Sequence, residues 1–78
     1  MKHFYVSLTN GLQGLYVKFE AESEELVRIF LKANFGTIWG GIYTDAYFHE
    51  IIRRRYPKGS RVINNQSPIK LVDMRKDT

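Results

Sequence analysis

Phe35-Gly36-Thr37-Ile38-Trp39-Gly40-Gly41-Ile42-Tyr43-Thr44-Asp45 reads as a helix end, a strand and the start of a second helix, and it decides the fold. It holds the only tryptophan and three of the six glycines. Gly36 follows an apolar helical period and suits the left-handed C′ position of a helix end. Ile38 to Tyr43 reads as a strand, in which Gly40 and Gly41 weaken ordinary pairing and predict a bulge or a close backbone approach. Thr44 or Asp45 caps a second helix with Tyr47, Phe48, Ile51 and Ile52 on one side. Tyr56 precedes Pro57 and is pushed away from helical angles, so this helix stops near Arg54.

Toward the N-terminus, Phe4, Val6 and Leu8 alternate with His3, Tyr5 and Ser7, and Leu15, Val17, Phe19 and Ala21 alternate with Tyr16, Lys18 and Glu20. Two such strands joined by a glycine-bearing loop form a hairpin. A tight turn at Asn10-Gly11 would set Gln13 beside Leu8, whereas a wider loop from Thr9 to Gly14 pairs Leu8 with Leu15 and is preferred. Ser23 caps a first helix whose first turn carries Glu24 and Glu25, favourable at the positive end of the helix dipole. Leu26, Ile29, Phe30 and Ala33 make its core stripe, and Val27 and Leu31 lie on a flank, available to the second helix or to a homodimer contact.

Toward the C-terminus, Arg61-Val62-Ile63 and Ile69-Lys70-Leu71-Val72 are strand-like, and one of them closes the sheet. The expected fold is α+β, in the order β-β-α-β-α-β, a small, mostly antiparallel sheet with two helices packed on one face. Residues 1–73 form a single compact domain, and residues 74–78 a frayed basic tail. The expected core comprises Phe4, Val6, Leu15, Val17, Phe19, Leu26, Ile29, Phe30, Ile42, Phe48, Ile51 and Ile52.

At 78 residues the chain makes one domain and buries about 60% of its unfolded surface, too little for a deep catalytic cleft. Cysteine is absent, which removes disulfides and Cys-based zinc sites. Met1 begins a strand, not a signal peptide, and no run of about 18 apolar residues could span a bilayer. The expectation is a soluble protein of the cytoplasm. The net charge of +4 is unevenly spread: residues 1–50 carry four basic and six acidic side chains, residues 51–78 eight basic and two acidic. Such polarity steers an acidic partner toward the C-terminal half.

The glycines of the central stretch lack the Lys and Ser/Thr of a phosphate-binding Walker loop. Gly41-Ile42-Tyr43 matches half of the motif that names the GIY-YIG nucleases, without its Tyr-Ile-Gly half. Asp45 and His49 stand four residues apart on a helix, close enough for a carboxylate to orient an imidazole, but no nucleophile sits in a recognisable elbow. No histidine spacing resembles a metal site. Strand alternation and the helix dipole account for Glu20, Glu22, Glu24 and Glu25. Arg53-Arg54-Arg55, with Lys58 and Arg61, is the strongest polar signal, and consecutive helical residues diverge by 100° so that the three arginines cannot all face one partner. Tyr5, Tyr16 and Lys18 on the outer face of the hairpin, joined by Trp39 and Tyr43, form a candidate aromatic and basic surface.

Phe19-Glu20-Ala21-Glu22-Ser23-Glu24-Glu25 followed by Phe35-Gly36-Thr37-Ile38-Trp39-Gly40-Gly41-Ile42-Tyr43 resembles small phage and prophage accessory proteins, of a kind that includes some anti-CRISPR proteins. The likeness covers residues 15–45 and brings no catalytic residue. It implies a phage-encoded protein acting inside a bacterial host cell. The expected function is therefore a non-enzymatic inhibitor or adaptor, without cofactor or metal, that docks on a host protein or ribonucleoprotein complex through Arg53, Arg54, Lys58, Arg61, Tyr5, Tyr16, Trp39 and Tyr43. The alternative is a small nucleic-acid-binding module using the basic C-terminal half.

Overall fold

Strands β1 (Lys2–Leu8) and β2 (Leu15–Ala21) pair antiparallel, with Phe4 opposite Phe19 and Ser7 opposite Tyr16. That register is the one a Leu8–Leu15 pairing continues, as the wide loop requires. The computed structural model describes residues 1–9, 11, 14–55 and 59–72; Lys58 and the tail expected over 74–78 lie outside them. Helix α1 (Glu24–Asn34) ends at Phe35, and Gly36 takes φ +60° while donating its N–H to the Leu31 carbonyl. Ser23 stands at the N-cap without a side-chain hydrogen bond, and Glu24 instead holds Arg28 at 2.8 Å.

Strand β3 (Trp39–Thr44) pairs antiparallel with the free edge of β1. Ser7 faces Gly41 while Leu8 faces Trp39, so Gly40 is the extra residue of a bulge, the irregularity that the two glycines predict. Thr44 then starts the second helical segment without a loop, its Oγ1 accepting from the Tyr47 N–H at 3.2 Å. That segment has three pieces: α2 (Asp45–Tyr47), a wide π-helical turn (Phe48–Ile52) and α3 (Arg53–Arg55).

Both C-terminal strand-like runs join the sheet, where one was expected. β4 (Arg61–Val62) and β5 (Ile69–Leu71) run parallel to β2 along its second edge, at Leu15–Tyr16 and at Phe19–Ala21. The sheet is therefore mixed, with antiparallel long ladders and the order β3-β1-β2-β4. Between the two short strands the chain loops out, and the Asn64 side chain fills the gap. Its Oδ1 accepts from the Lys18 N–H at 2.6 Å and its Nδ2 donates to the Lys18 carbonyl at 2.9 Å. A side-chain amide thus takes the place of a missing backbone peptide in the ladder.

The α+β class and the order of elements follow the sequence, but the helices do not share a face. Phe4, Val6, Val17, Phe19 and Ala21 bury one face of the sheet under α1, whereas Tyr5 and Tyr16 on the other face are covered by Phe48 of the second segment. With α1 already on the first face, the aromatic rings of the second would form an exposed apolar patch unless something covered them. The stripe of α1 is also rotated from its expected position. Val27 and Leu31 are fully buried, Leu26 and Phe30 flank them, and Ile29 is 53% exposed. This corrects the homodimer contact expected at Val27 and Leu31, which meet the protein's own sheet. Ile51 is likewise exposed, and Leu8, Ala21, Tyr5 and Tyr16 join the core instead. Among the described residues no helix is long and apolar enough to cross a membrane.

Two stability predictions separate these contacts. Leu31→Ala should cost about 2–5 kcal/mol and Ile29→Ala within about 0.5 kcal/mol in urea unfolding, the reverse of the ranking expected from the sequence. Asn64→Ala leaves both backbone groups of Lys18 without their amide partner and should cost about 1–3 kcal/mol, with hydrogen exchange accelerating at Lys18 ahead of the rest of β2.

Candidate functional site

The covered aromatic face builds the site. Tyr5 projects from the middle of β1 and stacks on Phe48, ring centroids 4.1 Å apart and planes within 9°. Tyr16 meets the same Phe48 edge-on at 4.9 Å. Tyr5 is 1% exposed, and its hydroxyl emerges beside the start of the second helical segment. There the Tyr5 hydroxyl donates to Asp45 Oδ1 at 3.2 Å, and His49 Nε2 lies 3.2 Å from the same hydroxyl and 3.3 Å from Asp45 Oδ1. The Asp45–His49 pair visible in the sequence is thus a three-membered cluster whose third member comes from a strand forty residues earlier.

Burial, then the charge of Asp45 and its hydrogen bond, push the Tyr5 phenol up to about 12, against a smaller opposing pull from Arg53. A phenol so raised is a hydrogen-bond donor at neutral pH, not a nucleophile or a base poised for proton transfer. The cluster can therefore orient the imidazole of His49 and fix the start of the helix.

Next to it opens a pocket of about 240 Å³ between the π-helical turn, α3 and the edge formed by β4. Tyr5, Phe48 and His49 form one wall, and Arg53, Arg61 and Ser60 line the other parts, with Asn65 at the margin. The wide turn explains how Arg53 reaches it. In a plain α-helix, residues five apart diverge by roughly 140°. Here the Arg53 N–H bonds to the Phe48 carbonyl across the π-helical turn, which brings the arginine round to the side of the buried phenylalanine. Arg61 arrives from the opposite edge because its N–H donates to the Gly14 carbonyl at 2.8 Å. Gly14 must remain glycine there: its φ is +89°, and a Cβ would collide with the Gly59 carbonyl.

The electrostatics are one-sided. Among the described residues, Arg28 pairs with Glu24, and the His49 imidazole lies against the Asp45 carboxylate. Arg53, Arg54, Arg55 and Arg61 are exposed with no carboxylate within salt-bridge reach among those residues. Ser60 Oγ, by contrast, is buried and has no hydrogen-bond partner among the described residues.

The expected binding surface is divided by this arrangement. Arg53 and Arg61 meet at the pocket, Arg54 lies on the same exposed helix end outside it, and Lys58 lies outside the described residues. Tyr5 and Tyr16 are buried, a correction to their expected place on an open face. Trp39 is half-buried against the core on the opposite side of the sheet, and Tyr43 is half-buried against Tyr16 and stacked on Tyr47 at 5.5 Å. The four aromatics therefore do not form one surface with the arginines. Ser60 and Asn65 were not legible as site residues, since nothing in their local sequence marks them; only the pairing of β4 beside β2 brings them to the pocket.

No family model, curated protein or solved structure shows significant similarity to this chain. The phage-protein resemblance stays an expectation carried by residues 15–45.

The raised phenol gives a sign-definite pH dependence. The folded state holds the Tyr5 proton more tightly than the unfolded chain, so its contribution to stability is complete below pH 10 and is lost as pH rises from about 10 to about 12. Urea midpoints measured from pH 9 to 12 should fall less steeply for Tyr5→Phe than for the parent protein.

Proposed function

We propose that this protein is a non-enzymatic nucleic-acid-binding module that contacts phosphates through Arg53, Arg54 and Arg61. The observation that supports it is the pair of arginines, Arg53 and Arg61, that line one polar pocket with no carboxylate in salt-bridge reach among the described residues. Guanidinium groups suit phosphate oxygens, and their attraction for a polyanion is strong where no protein carboxylate competes. Arginines brought together from α3 and β4 suit the several oxygens of one phosphate. A cytoplasmic location belongs to the same proposal.

Docking on a host protein complex as a phage inhibitor used the same arginines together with an exposed aromatic face. With Tyr5 and Tyr16 buried, its aromatic half loses support. What then favours protein over nucleic acid is the resemblance alone.

Fluorescence anisotropy with labelled single- and double-stranded oligonucleotides at several salt concentrations tests the proposal. Affinity should fall steeply with salt, and Arg54→Gln should weaken binding across sequences while lowering the salt slope by about one contact's worth, 0.7 to 0.9. Absent or salt-independent binding to both strand forms overturns it, and stoichiometric capture of a nuclease-treated host protein would establish the docking function instead.

A further inference from the structure

Ser60 poses a specific problem. A buried hydroxyl without a partner costs folding free energy that nothing among the described residues returns, and such groups are scarce in native proteins. Ser60 also lines the pocket that holds the two converging arginines. Among the described residues, one hydrogen-bond acceptor and two counter-charges are wanting in a single concavity, and together they describe one ligand.

We propose that this pocket seats a single phosphoryl group, in the form of a phosphomonoester, with Arg53 and Arg61 as counter-charges and Ser60 Oγ as its buried donor. The monoester follows from shape. A phosphodiester within a chain carries an ester link on each side and passes over a pit, whereas a terminal phosphate directs three unsubstituted oxygens into it and leaves by one link. Three oxygens also match three donor-bearing residues of the lining: Arg53 at the end of the second helical segment, Ser60 before β4 and Arg61 in β4. The buried Phe48 and Tyr5 rings give the pocket an apolar wall, and a charge-assisted bond made against such a wall is stronger than one in open water. Asp45, the carboxylate nearest the Tyr5 hydroxyl, already accepts from Tyr5 and lies beside His49, so its charge is engaged within the cluster.

This assignment rests on the nucleic-acid function only for the source of the group. An oligonucleotide end and a free mononucleotide present the same phosphate, and Arg54 outside the pocket would follow the chain of the former.

The test titrates the ¹⁵N-labelled protein with adenosine 5′-monophosphate and with adenosine, and measures binding of one oligonucleotide carrying a 5′-phosphate, a 3′-phosphate or neither. A terminal phosphate should tighten binding at least about tenfold, the scale of one hydrogen bond to a charged group. Amide shifts should centre on Ser60, Arg61 and His49. Ser60→Ala should abolish the preference for the phosphorylated end while raising the thermal midpoint by a few degrees, because it removes an unpartnered hydroxyl. Arg61→Gln should abolish the same preference and serves if the alanine variant does not fold. Equal affinity for all three oligonucleotides, or a preference that survives both variants, overturns the phosphomonoester pocket and leaves the nucleic-acid function standing. Binding of the monophosphate but not of adenosine or any oligonucleotide supports the pocket and removes the nucleic-acid function.

Discussion

The stack of Tyr5 on Phe48 is the contact from which the rest of the functional end follows. Two rings 4.1 Å apart and nearly parallel contribute about 0.5–1.5 kcal/mol beyond their buried area, a sizeable share of the stability of a domain this small. More consequentially, the stack fixes the second helical segment on the face of the sheet opposite α1. It seals the aromatic side of the hairpin, sets the Tyr5 hydroxyl against Asp45 and His49, and turns what would be a flat sheet surface into the wall of a pocket.

That placement makes demands on the backbone that local preferences do not satisfy. An ordinary α-helix starting at Thr44 could bury Phe48, but it would then aim Arg53 well away from the phenylalanine. The π-helical turn over Phe48–Ile52 resolves the conflict by delaying the turn by one residue. On the facing edge, the parallel strand against β2 is interrupted, and Asn64 bridges the interruption with its side-chain amide. The loop it spans carries Asn65 to the pocket margin while β4 holds Arg61 there. Both irregularities lie beside the same cavity, which is where deviations from regular geometry tend to be retained.

Legibility along the chain followed the range of the interactions. The hairpin register, the left-handed Gly36, an irregularity at Gly40-Gly41 and a helix cap at Thr44 or Asp45 are readable from the sequence, because each depends on residues within a few positions of one another; the structure selects the bulge at Gly40 and the Thr44 cap. The stripe of α1 was misplaced: Leu26, Ile29, Phe30 and Ala33 and the observed Val27, Leu31 and neighbours are both acceptable apolar arcs on one helix, and only the facing sheet chooses between them. Arg53 and Arg61 were recognised as candidate contacts from charge alone. Strand alternation places Tyr5 and Tyr16 on the outer side of the hairpin, and it tells which side a residue faces, not whether a helix covers that side.

The sequence by itself determined the α+β class, the element order, the charge asymmetry and the local joints, because alternation, helical period, caps and composition are properties of neighbouring residues. The tertiary structure alone decided that the helices sandwich the sheet, that Tyr5 joins Asp45 and His49, and that Ser60, its hydroxyl unpartnered among the described residues, lines one pocket with Arg53 and Arg61. Those facts depend on long-range pairing, on which edge of β2 accepts β4, and on the packing of one aromatic ring against another. No spacing along the chain encodes them, since the partners are brought together only when apolar surface from both faces of the sheet is buried at once.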